Sequence, residues 1–374
     1  MRVGSRRRLL AATAAGVMLL GACGAAEESA STPATAFSET TAEKTGETTG
    51  ETTGESGATT DPTDSGPVDL SLVGFAVPKA ANNAIQAAFG ETPEGEGTTW
   101  TESYGASGDQ SRAVVAGLEA DYVHFSLEGD VTRLVTEGLV AKDWNTGPTK
   151  GIVSDSVVVI VVRPGNPKGI TGWADLVEPG IGIVTPNPGS SGAARWNILA
   201  AYGHVLVTGG TEDEAADYLT SFFDNTVALP GSGRDATTAF LAGTGDVLIS
   251  YENEAILARQ EGEDLDYIVP DETLLIENPG AVLIDADPRA AAWLEFVLSP
   301  AGQTEFVKKG FRPVIDGVDG IEVEGANDPA QPFPTPGDLF TITDLFEGWP
   351  AANDKFFDED TGLVTKIQQE TGKE

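Results

Sequence analysis

Three short segments of the 374-residue chain set small and hydroxyl-bearing residues just ahead of an apolar helical stripe. The first is Gly105-Ala106-Ser107-Gly108-Asp109-Gln110, which leads into Val114, Val115 and Leu118. The second runs from Pro186 to Trp196 through Ser190-Ser191-Gly192-Ala193-Ala194-Arg195, with Leu199 and Ala200 behind it. The third is Gly231-Ser232-Gly233-Arg234-Asp235, ahead of Phe240 and Leu241. The first N–H groups of a helix have no intrahelical acceptor, and the aligned peptide dipoles make that end positive. An oxyanion placed there meets ready donors, and Gly and Ala let it approach the backbone closely. Each terminus contributes roughly 0.3–1 kcal/mol, and a charge-assisted hydrogen bond adds about 1.5–3 kcal/mol. Several converging donors therefore hold a dianion with no basic side chain touching it. Taken singly, a serine before a glycine is an ordinary helix cap, so local physics stops at a cleft that could hold an anion.

Catalytic arrangements are poorly represented. No Gly-X-Ser-X-Gly elbow falls at these serines, which argues against a serine hydrolase. Only His124 and His204 are available as imidazole bases. His124 sits in the alternation Tyr122-Val123-His124-Phe125 and His204 near an Ala/Gly-rich helix end, so both read as structural. No H-E-x-x-H, cysteine cluster or Walker loop occurs, and neither metal nor cofactor is expected. The acidic pair in Tyr251-Glu252-Asn253-Glu254 reads as a solvated helix start. The chain is expected to bind rather than to catalyse.

The elements that must position these segments alternate between strand and helix. Val68–Phe75 alternates like a first strand, and helical spacing follows at Ala80, Ala84, Ile85, Ala88 and Phe89. Thr98–Tyr104 and Asp121–Leu127 read as strands, Gln110–Glu119 and Val131–Glu137 as helices. Ser156–Val162 is a continuous apolar run closed by Arg163-Pro164-Gly165, as expected of a buried strand leading into a second lobe. Further strands are expected at Ile181–Thr185 and Asp246–Ser250, with helices after Gly192, over Thr211–Asn225 and around Ala290–Leu298. Ala281–Ile284 reads as a returning apolar segment, and Ser299-Pro300 as a helix start with Ser as cap and Pro at the first position. The expected class is α/β: two lobes joined by a few crossing strands, with a ligand cleft between them. The expected boundaries are residues 68–150 for the first lobe and 151–250 for the second. Residues 251–374 return to the first lobe and add C-terminal helices.

The N-terminus is expected to lie outside this fold. Arg2, Arg6, Arg7 and Arg8 precede the apolar run Leu9–Leu20, the pattern of an export signal over residues 1–22. The arginines leave both the general secretory and the twin-arginine routes open. The run ends in Leu20-Gly21-Ala22-Cys23, which resembles the bacterial lipobox and implies lipidation of Cys23. Cys23 is the only cysteine, so an intrachain disulfide is excluded. Residues 23–67 carry the near-repeat Thr-Gly-Glu-Thr and too little apolar surface to offset ordering entropy, as expected of a tether. The net charge of −36 argues against nucleic acid as a partner. An anion site in such a chain must be local, made of backbone dipoles.

Three stretches carry a family resemblance: Ile183–Asn197, Gly245–Ala255 and Arg163-Pro164-Gly165-Asn166-Pro167-Lys168. In this order they are similar to the signatures of prokaryotic sulfate-binding proteins, and the likeness extends over residues 68–360. The resemblance implies a periplasmic-binding-protein type II fold that buries sulfate between its lobes and delivers it, as a monomer, to the permease of an ABC importer. Carried over by position, it implies a hydroxyl donor in Ser107, hydroxyl and backbone donors at Ser191, Gly192 and Ala193, and a backbone donor at Gly233, with Arg234 in support. Tyr251 stands where the family often has a Trp donor, and a phenol accepts as well as donates. Ala76 lies where some members carry an Asp. These two departures leave thiosulfate, molybdate, tungstate and phosphate as alternative ligands. A surface lipoprotein that senses its ligand without transporting it is the alternative of another class.

Overall fold

A computed structural model describes residues 66–373. The export signal, Cys23 and residues 24–65 of the tether lie outside the described residues. Ten strands form the sheet: β1 (Val68–Phe75), β2 (Thr98–Gly105), β3 (Tyr122–His124), β4 (Ile152–Val162), β5 (Ile183–Val184), β6 (Thr226–Ala228), β7 (Val247–Tyr251), β8 (Asp266–Ile268), β9 (Glu272–Val282) and β10 (Asp338–Phe340). Their order is β2-β1-β3-β9-β4-β7-β5-β6, with β8 beside β4 and β10 beside β9. Pairing is parallel within β2-β1-β3 and within β7-β5-β6. It is antiparallel where β9 and β4 join the two groups. Two parallel sheets are thus connected by two 11-residue strands that cross between lobes.

In the first lobe, strands lead into α1 (Lys79–Gly90), α2 (Ser107–Val115) and α3 (Glu128–Thr136). The second lobe adds α4 (Gly192–Val207), α5 (Glu212–Asn225), α6 (Gly233–Leu241) and α7 (Glu252–Gln260). A parallel strand that continues into a helix delivers the helix N-terminus to the carboxyl edge of its sheet. The starts of α1, α2 and α3, and of α4, α6 and α7, therefore lie along the carboxyl edges of the two sheets.

The apolar run of β4 is buried on both faces. Val158, Ile160 and Val162 join the core of Leu70, Phe75 and Trp196, while Val157, Val159 and Val161 pack with Phe240, Ile256 and Tyr267. Chain return to the first lobe is made by β9, α8 (Arg289–Val297) and α9 (Pro300–Lys308), the last two packing on α1. Ser299 caps α9 as expected, accepting from the Gly302 N–H at 3.2 Å. The C-terminal helices α10 (Ile342–Phe346), α11 (Trp349–Ala352) and α12 (Leu363–Thr371) take another course. They pack on α4 and α5, through the Trp196–Trp349 ring contact and α12 against α5.

Several expected bounds shift for identifiable reasons. Helix α2 begins at Ser107 rather than Gln110 and stops before Gly117, whose φ of +102° ends it. α3 begins at Glu128 rather than Val131, because acidic Glu128 and Asp130 suit its first turn. β3 leaves the sheet after His124, so Phe125–Leu127 form a loop instead of a strand. β9 extends far upstream of the expected Ala281–Ile284. Its charged residues and Pro279 hide the strand pattern, and Pro279 is tolerated beside an irregularity in the pairing of Ile152 and Ser154.

His124 is structural, as expected. It is fully buried, with Nδ1 3.1 Å from Asn82 Oδ1 and Nε2 3.3 Å from Ser154 Oγ. Burial lowers its pKa from 6.5 to about 3. Below pH 6.5 the unfolded chain takes up a proton that the folded chain refuses, so acidification costs stability through this residue. Between pH 7 and pH 5 the cost is about 2 kcal/mol. Replacing His124→Asn should remove that increment, so urea unfolding of the variant should lose less stability over this interval by about 2 kcal/mol. Parallel pH profiles for the two proteins would contradict this account.

Candidate functional site

The starts of α2 and α4 are uncapped. Ala106, the cap position of α2, has no side-chain donor or acceptor to offer, and Ser191 at the cap of α4 makes no capping bond. At α6, Ser232 does cap, accepting from the Asp235 N–H at 3.1 Å. The backbone N–H groups of Ser107, Gly108, Gly192, Ala193, Gly233 and Arg234 meet no protein acceptor. Free N–H groups at a helix start are of the kind that can receive an oxyanion.

Loop pinning sets the second-lobe starts side by side. The Asn187 N–H donates to Pro230 O at 2.8 Å and Ser190 Oγ donates to Gly231 O at 2.8 Å, tying the lead-in of α4 to that of α6. A Cβ on Gly233 would lie 3.2 Å from both Ala193 Cβ and Val77 Cγ2, so α6 touches α4 and the loop after β1. A Cβ on Gly192 would lie 2.6 Å from Ser126 Oγ and 2.8 Å from Leu127 Cγ. The lobes are therefore closed on one another. Between α2 and α4 remains a cavity of about 30 Å³, lined by Gly108, Asp130, Ser191 and Gly192 and flanked by Arg133 and Arg195.

The expected site residues come together in one contact network. Ser191 is buried and its hydroxyl has no protein partner, whereas the Ser190 hydroxyl is spent on Gly231. Ser107 is adjusted by the structure. Its hydroxyl donates to Asp130 Oδ2 at 2.6 Å and accepts from the Ser126 N–H at 2.9 Å. A hydroxyl has one hydrogen, so Ser107 presents its backbone N–H to the cleft and uses its side chain to brace the loop after β3. Asp130 in turn accepts from Arg133 at 2.9 Å.

Tyr251 is buried at the end of β7, with its hydroxyl 2.8 Å from Ser126 Oγ. Burial raises its pKa, so the phenol keeps its hydrogen. Arg234 supports the site across the cleft. It donates to Glu254 at 2.6 and 3.1 Å and to Val77 O of the first lobe at 3.3 Å. The Glu252–Glu254 segment is not the solvated helix start expected from its charge. Both carboxylates are buried, Glu252 against Arg312 at 2.8 Å and Glu254 against Arg234. Burial raises both pKa values, and the arginines oppose the shift.

Sequence reasoning missed three members of the network. Ser126 fell inside the expected strand Asp121–Leu127, Asp130 lay just ahead of the expected helix Val131–Glu137, and Asn278 lay in an unrecognised strand. Asn278 Nδ2 donates to Ser126 O at 3.1 Å, and Trp196 Nε1 donates to the same carbonyl at 2.9 Å. No local signal distinguishes these residues, because their partners are tens of residues away in sequence.

Two α/β lobes linked by paired crossing strands, with uncapped helix starts meeting between them, define a solute-binding protein of the periplasmic-binding type II fold. The family model for bacterial extracellular solute-binding proteins matches residues 70–312, and the chain belongs to that family. It is 41% identical to a sulfate-binding protein of Synechococcus elongatus over 314 residues, covering 81% of this chain and 87% of that one. Identity to an Escherichia coli sulfate-binding protein is 36% over 274 residues, 70% of this chain and 81% of that one. Among solved structures, the sulfate-binding protein SubI from Mycobacterium tuberculosis H37Rv superimposes with a TM-score of 0.72 at 42% identity. The match covers 78% of this chain and all of that one.

The contact at Gly192 has a direct consequence. Gly192→Ala should leave the open form unaffected but obstruct closure against Ser126 and Leu127. Overpacking of this kind costs about 1–3 kcal/mol, so ligand affinity should fall roughly 5- to 150-fold with little change in ligand-free thermal stability. An unchanged affinity would show that closure does not bring these residues together.

Proposed function

We propose that this protein captures sulfate outside the cytoplasm and delivers it to the permease of an ABC importer. The reading rests on one observation above all: uncapped N–H groups of α2 and α4, joined by those of α6, meet at the contact between lobes. Relatives that bind sulfate, at 36–42% identity, narrow the anion. Ser191, Gly192, Ala193, Gly233, Tyr251 and the backbone of Ser107 are the proposed ligand donors, with Arg234 as their support. Residues 68–150 and 151–250 supply the bulk of the two lobes. Cys23 carries the proposed lipid anchor, and residues 23–67 the tether. The receptor acts as a monomer and performs no chemistry on its ligand.

Closure must come from differential binding, since the anion gains its full set of donors only when both lobes contact it. Isothermal titration with sulfate, thiosulfate, molybdate, tungstate and phosphate tests the proposal. One-to-one binding with sulfate preferred is the expected outcome; no binding by any tetrahedral oxyanion would overturn it.

The two neighbouring serines provide a second check. Ser191→Ala removes a buried hydroxyl free to meet the ligand and should weaken sulfate binding about tenfold or more. Ser190→Ala removes only a loop tie and should change it by less than about threefold. Equal effects in the same titration would displace the proposed start of α4 from the site.

A further inference from the structure

Ser126 engages all three of its polar groups, and two of them reach the second lobe, the carbonyl through Trp196 and the hydroxyl through Tyr251. Its N–H donates to Ser107 Oγ, and its carbonyl accepts from Trp196 Nε1 and Asn278 Nδ2. Its hydroxyl lies 2.8 Å from that of Tyr251, and both residues are buried. This pair holds two hydrogens. Only one can lie between the two oxygens, so one O–H is left to donate elsewhere. No protein acceptor takes it: the Asn278 amide, the other side chain that bonds to the Tyr251 hydroxyl, acts on it as a donor, and Asn278 Oδ1 is buried with no hydrogen-bond partner. Ser126 Oγ also stands against Gly192, where a Cβ would come within 2.6 Å of it, and the Gly192 N–H is free.

We propose that Ser126 is a further ligand-positioning residue, and that it forms with Tyr251 a two-hydroxyl relay that delivers one hydrogen to the bound oxyanion. The hydrogen leaves from either oxygen. If Ser126 donates to Tyr251, the phenol donates to the anion; if the phenol donates to Ser126, the serine does. The two residues are therefore redundant as donors, and removing either leaves a hydroxyl free to serve. The inference rests on the oxyanion site proposed above and assigns to Ser126 a role that its place in an alternating apolar stretch conceals.

Redundancy makes a distinctive double-mutant cycle. Ser126→Ala and Tyr251→Phe should each weaken sulfate binding by less than about fivefold, since one hydroxyl survives in each. The double variant loses the last hydrogen and should bind about 50-fold or more weaker, well beyond the product of the single effects. Combining Ser126→Ala with Tyr251→Trp supplies a donor-only indole N–H and should restore affinity to within a few-fold of the parent. Ligand-free thermal unfolding of all variants separates donation from packing, and the synergy should appear in the titration and not in the melting temperature. Single effects that simply multiply in the double variant would overturn the relay, as would synergy confined to ligand-free stability. A parent protein that binds no oxyanion would instead remove the site on which the relay rests.

Discussion

An anion taken out of water needs donors in place of its hydration shell, and the uncapped starts of α2 and α4 leave such donors free. Leaving a helix without a cap costs about 1 kcal/mol, so an uncapped start is a small instability held in reserve for a partner. Ala106 cannot cap α2, and Ser191, which could cap α4, does not. Gly192 and Ala193 add no bulk between the backbone and whatever approaches it. The remainder of the fold can be understood as the means of bringing these ends together.

Topology does most of that work. In each lobe, parallel pairing sends the following helix back with its positive end at the carboxyl edge of the sheet. Paired strands β4 and β9 then join the two sheets, so both edges border a single cleft. The closed arrangement is recorded in a few contacts: Trp196 and Asn278 on the Ser126 carbonyl, Tyr251 on its hydroxyl, and Arg234 on Val77 O. A ligand that adds bonds from both sides shifts the population toward this form without any need for a separate trigger.

Three guanidinium groups are neutralised by buried carboxylates, whereas Arg195 beside the cavity is held by Pro188 O and Asn353 Oδ1. Arg133 is paired with Asp130, Arg234 with Glu254, and Arg312 with Glu252. Buried pairs of this kind contribute little net stability, but breaking one leaves an uncompensated charge. Their arrangement lets guanidinium groups brace the backbone while the surface keeps its acidic excess. An anion cleft and a net charge of −36 are thus compatible, because the attraction is short-ranged and directional.

The sequence by itself determined the α/β class and the small-residue helix starts, because these depend on local periodicity and capping chemistry; the individual candidate donors came from the family resemblance. Its family resemblance anticipated the kinship that the comparisons establish. It could not determine that Ser107 spends its hydroxyl on Asp130, that Glu252 and Glu254 are buried, or that Ser126 lies at the meeting point of the lobes. Each of those facts depends on a partner far along the chain, from Asp130 to Arg234, Arg312 and Asn278. Pro279 and the charged residues of β9 hid most of one crossing strand, and with it the position of Asn278. Local pattern specifies which groups a helix start leaves open; only the packing of two lobes decides which of them face one another, and which hydroxyl hydrogen remains to be given away.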